Sequence, residues 1–134
     1  MKIVIDSNIW ISVFINKEVQ VFITEILDKE VKIISSEIQV EEIADVLARP
    51  KLAKHISQSL IKEFLTLFLK AVEIVEIKIT VNDCRDLKDN YILETALSGD
   101  ADFIITADND LLVLDPYRNL RIVTMQEFNN TFLI

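Results

Sequence analysis

Lys2-Ile3-Val4-Ile5-Asp6 is an unbroken β-branched run that ends on a carboxylate. A strand with one wet face would alternate apolar and polar residues, whereas a continuous run reads as a strand covered on both faces. Phe103-Ile104-Ile105-Thr106 repeats the pattern and leads into Asp108. Further strands are expected at Val31–Ser35, Val72–Ile77 and Arg121–Thr124, and helical patterns lie between them. That alternation predicts a parallel sheet of about five strands with helices on both faces, an α/β fold. Ligands bind at the carboxyl edge of such a sheet, where Asp6 and Asp108 would stand.

Composition narrows the classes. The chain has 134 residues, 51% of them hydrophobic, and one glycine, Gly99, which excludes collagenous, low-complexity and disordered chains and predicts a single domain over residues 1–134. Cys84 is the only cysteine, so an intrachain disulfide and a thiolate zinc site are both excluded and a cytoplasmic location is expected. No apolar run approaches the length of a membrane span, and a charge interrupts the N-terminal apolar stretch where a signal peptide needs none. The net charge of −8 is awkward for a nucleic-acid binder, unless several acids form one site neutralised by divalent cations. Arg49, Lys51 and Lys54 then form the candidate strip for phosphates; a solvated helix end would look the same.

Among the helices, Val19, Phe22, Ile23, Ile26 and Leu27 make a core-facing stripe, and Pro50 breaks the helix that ends near Arg49. The band Leu60, Ile61, Phe64, Leu65, Leu67 and Phe68 within Ser57–Lys70 is wider than one packed face requires, so part of it is expected to meet a partner.

Helix register sorts the acids. Ser36 with Gln39 forms a capping box, which starts a helix at the end of the second strand. Glu37, Glu41 and Asp45 then share one charged row, while Glu42 shares a row with Ile38 and Val46. Periodicity leaves Glu42 either at the rim of a solvated face or turned toward a site; its nearness to a strand end favours the site. In the next helix Asp86 reads as the N-cap, and Asp89 aligns with Leu93 and Leu97, whereas Glu94 aligns with Asn90 and Ser98 on the polar side. An acid on a packed face needs a partner. Asp108-Asn109-Asp110 fails as a calcium loop because Val113 stands where glycine is required. Asp108 or Asp110 could cap the short helix Leu111–Leu114; Asp110 is expected to take the cap and Asp108 to act as ligand, with Ser7, Asn8 and Thr106 orienting the acids beside them.

Asp6-Ser7-Asn8, Glu42, Asp86-Leu87-Lys88-Asp89-Asn90 and Thr106-Ala107-Asp108-Asn109-Asp110-Leu111-Leu112, in this order, resemble the PIN-domain ribonuclease family, most closely its single-domain VapC-type toxins. The resemblance implies a Rossmann-like three-layer α/β/α fold and metal-dependent endonucleolytic cleavage of RNA. It also implies an acidic pocket holding Mg²⁺ or Mn²⁺, and a cognate antitoxin as protein partner. Asp6, Asp89 and Asp108 match the family's metal-binding acids, Glu42 matches the glutamate of the second crossover helix, and Asp86 and Asp110 match accessory positions. A homodimer is also expected from the Ser57–Lys70 band. A non-catalytic module with a structural cation, and a housekeeping nuclease, are the rival readings. His55, Cys84 and Trp10 are read as a solvated histidine, an incidental thiol and a core residue.

Overall fold

The structure, a computed structural model, describes residues 1–132; Leu133 and Ile134 of the expected domain lie outside the described residues. Five strands, β1 (Lys2–Ile5), β2 (Lys32–Ser35), β3 (Val72–Ile74), β4 (Phe103–Ile105) and β5 (Arg121–Val123), form one sheet in the order β3-β2-β1-β4-β5. Every pairing is parallel. All five expected strands form, each shorter than its apolar run. The largest shortfall is β3, which stops at Ile74; it is an edge strand paired only with β2, and β2 ends at Ser35, whose carbonyl accepts one last bond from Val75 N–H at 2.9 Å.

Strand side chains alternate between two layers of core, as period-2 geometry demands. Ile3, Ile5, Ile33, Phe103, Ile105 and Val123 pack into one layer, and Val4, Ile34, Ile104 and Ile122 into the other. The first is covered by α1 (Ser7–Ile15), α2 (Val19–Asp28), α3 (Glu37–Leu47), α5 (Gln58–Ala71) and α8 (Met125–Phe132), which contribute Trp10, Ile26, Ile43, Phe64 and Phe128 among others. The second is covered by α6 (Asn90–Ser98), α7 (Asn109–Leu112) and loop residues including Val81, Cys84 and Tyr117. Helices on both faces of a parallel sheet make the three-layer α/β/α fold expected from the sequence.

Within the first layer Trp10 meets Phe68 edge-on at 4.8 Å and Phe14 stacks on Phe64 at 4.6 Å. Such pairs add about 0.5–1.5 kcal/mol beyond the area they bury. They also consume most of the wide apolar band. Phe64 and Phe68 are buried and Ile61, Leu65 and Leu67 half-buried, leaving Leu60 as the exposed member of that band. Val19 and Ile26 of α2 are buried as expected, Phe22 and Ile23 half-buried, and Leu27 falls outside the described side chains. Pro50 occupies the first turn of α4 (Pro50–Ala53), with Arg49 as its N-cap, so proline ends one helix and begins the next.

Strand order reverses between β1 and β4. The crossovers from β1 to β2 and β3 run one way along the sheet and β5 lies on the other side, so the space beyond Ile5 and Ile105 is the topological switch point. Gly99 closes α6 tightly over β2: a Cβ there would lie 2.7 Å from Ile34 Cγ2.

Candidate active site

Asp6 stands at the switch point as the residue after β1. It is 7% exposed, its N–H donates to the Ile105 carbonyl at 2.9 Å, and its Oδ2 accepts from Thr106 Oγ1 at 2.6 Å. Burial raises the Asp6 pKa above the ordinary carboxylate value, and the Asp108 charge pushes the same way, while the Thr106 hydroxyl and the Asn8 and Ser7 N–H groups oppose the rise. Thr106 serves both acids. Its hydroxyl oxygen also accepts the Asp108 N–H at 3.0 Å.

Asp108, not Asp110, caps α7: its Oδ1 accepts the Asp110 N–H at 2.9 Å. The helix starts two residues earlier than expected because the Asp108 carboxylate, one residue before Asn109, reaches the free N–H groups of the first turn. Asp86 caps as expected, accepting from Lys88 N–H at 3.2 Å, though it caps a 3-10 turn, Leu87–Asp89, that precedes α6. Asp89 closes that turn, half-buried, and its pKa is raised to about 7. Desolvation is the largest cause; the Asp108 carboxylate beside it favours the protonated form, and Asp86 and Asp6 add repulsion. Asp6, Asp89 and Asp108 therefore sense one another although they come from three separate turns.

Glu42 joins from α3. Ser36 caps the helix as expected, its Oγ accepting Gln39 N–H at 3.4 Å, but the reciprocal half of the capping box does not form, because the Gln39 side chain is bonded elsewhere; Glu37, Glu41 and Asp45 all face solvent. The packed row, however, is Gln39, Ile43 and Leu47, not Ile38, Glu42 and Val46, for Ile38 is 47% exposed. Glu42 borders that row and is half-buried, and its Oε2 accepts from Ser7 Oγ at 2.9 Å. Burial raises its pKa, Ser7 lowers it, Asp6 raises it and the Arg49 charge lowers it. Of the basic strip Arg49, Lys51 and Lys54, all exposed, Arg49 is the member whose charge reaches a site acid.

Two residues of this arrangement carry no signal strong enough to single them out in the sequence. Tyr91 OH lies 2.8 Å from Ser7 Oγ, so Ser7 links Glu42 to α6. Gln39 is fully buried, donates through Nε2 to the Ile5 carbonyl at 2.6 Å and accepts from Ser35 Oγ at 2.5 Å. The capping-box spacing instead assigns its amide to the Ser36 N–H, a local role that hides these bonds. The Asn90, Glu94, Ser98 row is not solvated as its polarity suggests. Their side chains accept the N–H groups of Cys84, Val81 and Lys78 and dock that extended segment onto α6.

Among the described residues no three His, Cys, Asp or Glu side chains lie close enough to hold a metal ion as a ready-made cage. The carboxylate charges nonetheless reach one another: Asp108 and Asp6 both raise the Asp89 pKa, Asp108 raises that of Asp6, and Asp6 raises that of Glu42.

No match was found among curated proteins or among solved structures. A family model described as PIN domain matches residues 2–110, a span that holds all four site acids and stops before β5. The general activity of that domain is nuclease-type, and its members typically use divalent metal ions. With a match over more than three quarters of its length, the chain belongs to the PIN domain family.

Proposed function

We propose that this protein is a metal-dependent endoribonuclease acting as the toxin of a toxin–antitoxin pair in the cytoplasm. The observation that carries the nuclease reading is the coupling of Asp6, Asp89 and Asp108 at the switch point, with Asp89 raised to about 7. Carboxylates that hold a proton against each other at neutral pH are poised to exchange it for a cation. The donors are all oxygen, which suits Mg²⁺ or Mn²⁺ over zinc. A cation of this kind keeps one or two carboxylates and completes its shell with water and substrate phosphate, so it does not need a ready-made cage.

Asp6, Asp89 and Asp108 are the residues that would hold a divalent cation, which when bound would supply an activated water and charge neutralisation at the scissile phosphate. Thr106 keeps the Asp6 carboxylate aimed by donating to Oδ2. Glu42, fixed by Ser7 and through it by Tyr91, sits across from Asp6 as a fourth acid able to orient the water or accept its proton. Asn8 contributes its N–H to Asp6, while Asp86 and Asp110 shape the turns that carry Asp89 and Asp108. Arg49, with Lys51 and Lys54 beyond it, supplies positive charge on the Glu42 side for RNA phosphates.

The test is cleavage of diverse RNAs with Mg²⁺ or Mn²⁺ present and with chelator. Wild type should cut only with metal, and Asp6→Asn and Asp108→Asn should each lose activity by at least about a hundredfold. Metal binding without hydrolysis would favour the non-catalytic module. For the toxin reading, expression should arrest growth in an Asp6-dependent way, and a co-expressed antitoxin protein should relieve it; growth without arrest would favour a housekeeping nuclease.

A further inference from the structure

Beside the carboxylates lies a cleft of about 770 Å³ between α1, α2 and α8, and its wall begins at the site itself, with Asn8, Thr106 and Ala107. The volume is within the roughly 300–1,000 Å³ typical of small-ligand sites. Its chemistry differs from that of the basic strip. Ser12 of α1 and Gln126 and Asn129 of α8 line it with exposed polar groups that make no side-chain hydrogen bond elsewhere in the described residues. Phe22 and Met125, both half-buried, supply apolar floor. Its one basic lining residue among those described is Lys17, outnumbered by Glu18 and Glu25.

A surface of that kind cannot track a phosphate backbone, which requires a positive groove. It suits nucleobases. Amide side chains pair with the Watson–Crick edges of unpaired bases, and apolar or aromatic side chains accept their faces. A duplex hides those edges, so the occupant must be single-stranded.

We infer that this cleft is a base-reading subsite for unpaired nucleotides flanking the scissile phosphate, with Gln126 and Asn129 as specificity-determining residues. The inference rests on the nuclease reading for the identity of its ligand as RNA. It separates labour within the molecule: the acids act on the phosphate, and α8 selects the sequence next to it. It also removes the conflict between a net charge of −8 and RNA binding, because affinity here comes from bases.

Equilibrium binding of short unpaired RNA oligomers of varied sequence tests it, with Ca²⁺ replacing Mg²⁺ and cleavage of the same oligomers measured separately in Mg²⁺. Wild type should prefer certain sequences and bind the matching duplexes more weakly. Gln126→Ala and Asn129→Ala, both at exposed positions, should each lower affinity for the preferred sequence about tenfold and flatten the preference, with the circular dichroism spectrum unchanged. Equal affinity and preference in the variants would overturn the subsite, as would equal binding of duplex. Should wild type bind none of the oligomers, the subsite also falls, and the cleavage arm then decides the nuclease reading by itself. Sequence-selective binding without any cleavage would keep the subsite and defeat the nuclease.

Discussion

Thr106 and Asp6 are 100 residues apart in the chain and 2.6 Å apart in the fold, hydroxyl to carboxylate. The same hydroxyl oxygen accepts the Asp108 N–H, so one side chain fixes the relation between the acid after β1 and the acid before α7. Parallel pairing of β1 with β4, Ile5 opposite Ile105, sets this register before any side chain acts.

Thr106→Val keeps the shape and removes both roles of the hydroxyl. Asp6 loses the donor that most strongly opposes its raised pKa, so it should hold a proton to higher pH and bind cation less well. Loss of a group that orients a metal ligand costs about 10–100-fold in affinity or activity. Calorimetric titration with Mn²⁺ at neutral pH, on protein whose circular dichroism is unchanged, measures it; wild-type affinity in the variant would show that Asp6 needs no such support.

Asp89 predicts a pH dependence of the metal-free protein. Its pKa rises from 3.8 to about 7 on folding, so between those values the native state holds a proton that the unfolded chain has lost. Stability from this group is therefore present at low pH and is lost as pH climbs toward 7 and beyond. In chelator, the urea midpoint should fall from pH 5 to pH 7.5. Asp89→Asn should flatten the part of that fall nearest pH 7, leaving the smaller, same-signed contributions of Asp6 and Glu42. Added Mg²⁺ should reverse the trend, because cation replaces proton best where the acids are ionised. A midpoint that rises with pH in chelator would contradict the coupling.

Gly99→Ala should destabilise the fold. The backbone there has φ −94°, which alanine adopts freely, so the cost is steric and arises from a Cβ 2.7 Å from Ile34 Cγ2. Overpacking of this kind costs about 1–3 kcal/mol, more than the roughly 0.4–1 kcal/mol that alanine regains by restricting the unfolded chain. Denaturant titration of a double-mutant cycle with Ile34→Ala checks the cause: Gly99→Ala should cost less once Ile34 is shortened.

How far the sequence discloses this depends on the physical range of each feature. Continuous runs such as Ile3-Val4-Ile5 and Phe103-Ile104-Ile105 reveal buried parallel strands because burial on two faces leaves no alternation. Caps at Ser36 and Asp86 are legible because they act over two or three residues. That Asp108 and not Asp110 caps α7 is not legible: either carboxylate can cap, and the choice depends on where the β4 turn aims the chain. Tyr91 beside Ser7 is a contact across 84 residues, and no local pattern encodes it. Polarity misled at Asn90, Glu94 and Ser98, since their partners are N–H groups of an extended segment with no periodicity of its own. The match to PIN domains covers the acids and ends at residue 110, so it does not extend to the α8 side of the cleft, with Gln126 and Asn129.

Gln39 connects fold to site, and its replacement should damage both. The side chain is fully buried, bonded to the Ile5 carbonyl at 2.6 Å, to Ser35 Oγ at 2.5 Å and, more loosely, to Ser7 Oγ at 3.4 Å. Gln39→Leu keeps the volume roughly and abandons those partners in a dry interior. Each buried polar group left without a partner costs about 1–3 kcal/mol, so a loss of at least about 2 kcal/mol is expected in denaturant titration. Gln39→Glu should also destabilise, but with a different pH profile. A neutral carboxyl can still donate to Ile5, whereas a carboxylate cannot, so this variant should recover stability as pH falls, relative to Gln39→Leu at the same pH. Ser7 would keep Glu42 and Tyr91 but lose its third neighbour, so RNA cleavage should fall further than the folded fraction does. Cleavage that tracks the folded fraction alone would confine Gln39 to the core.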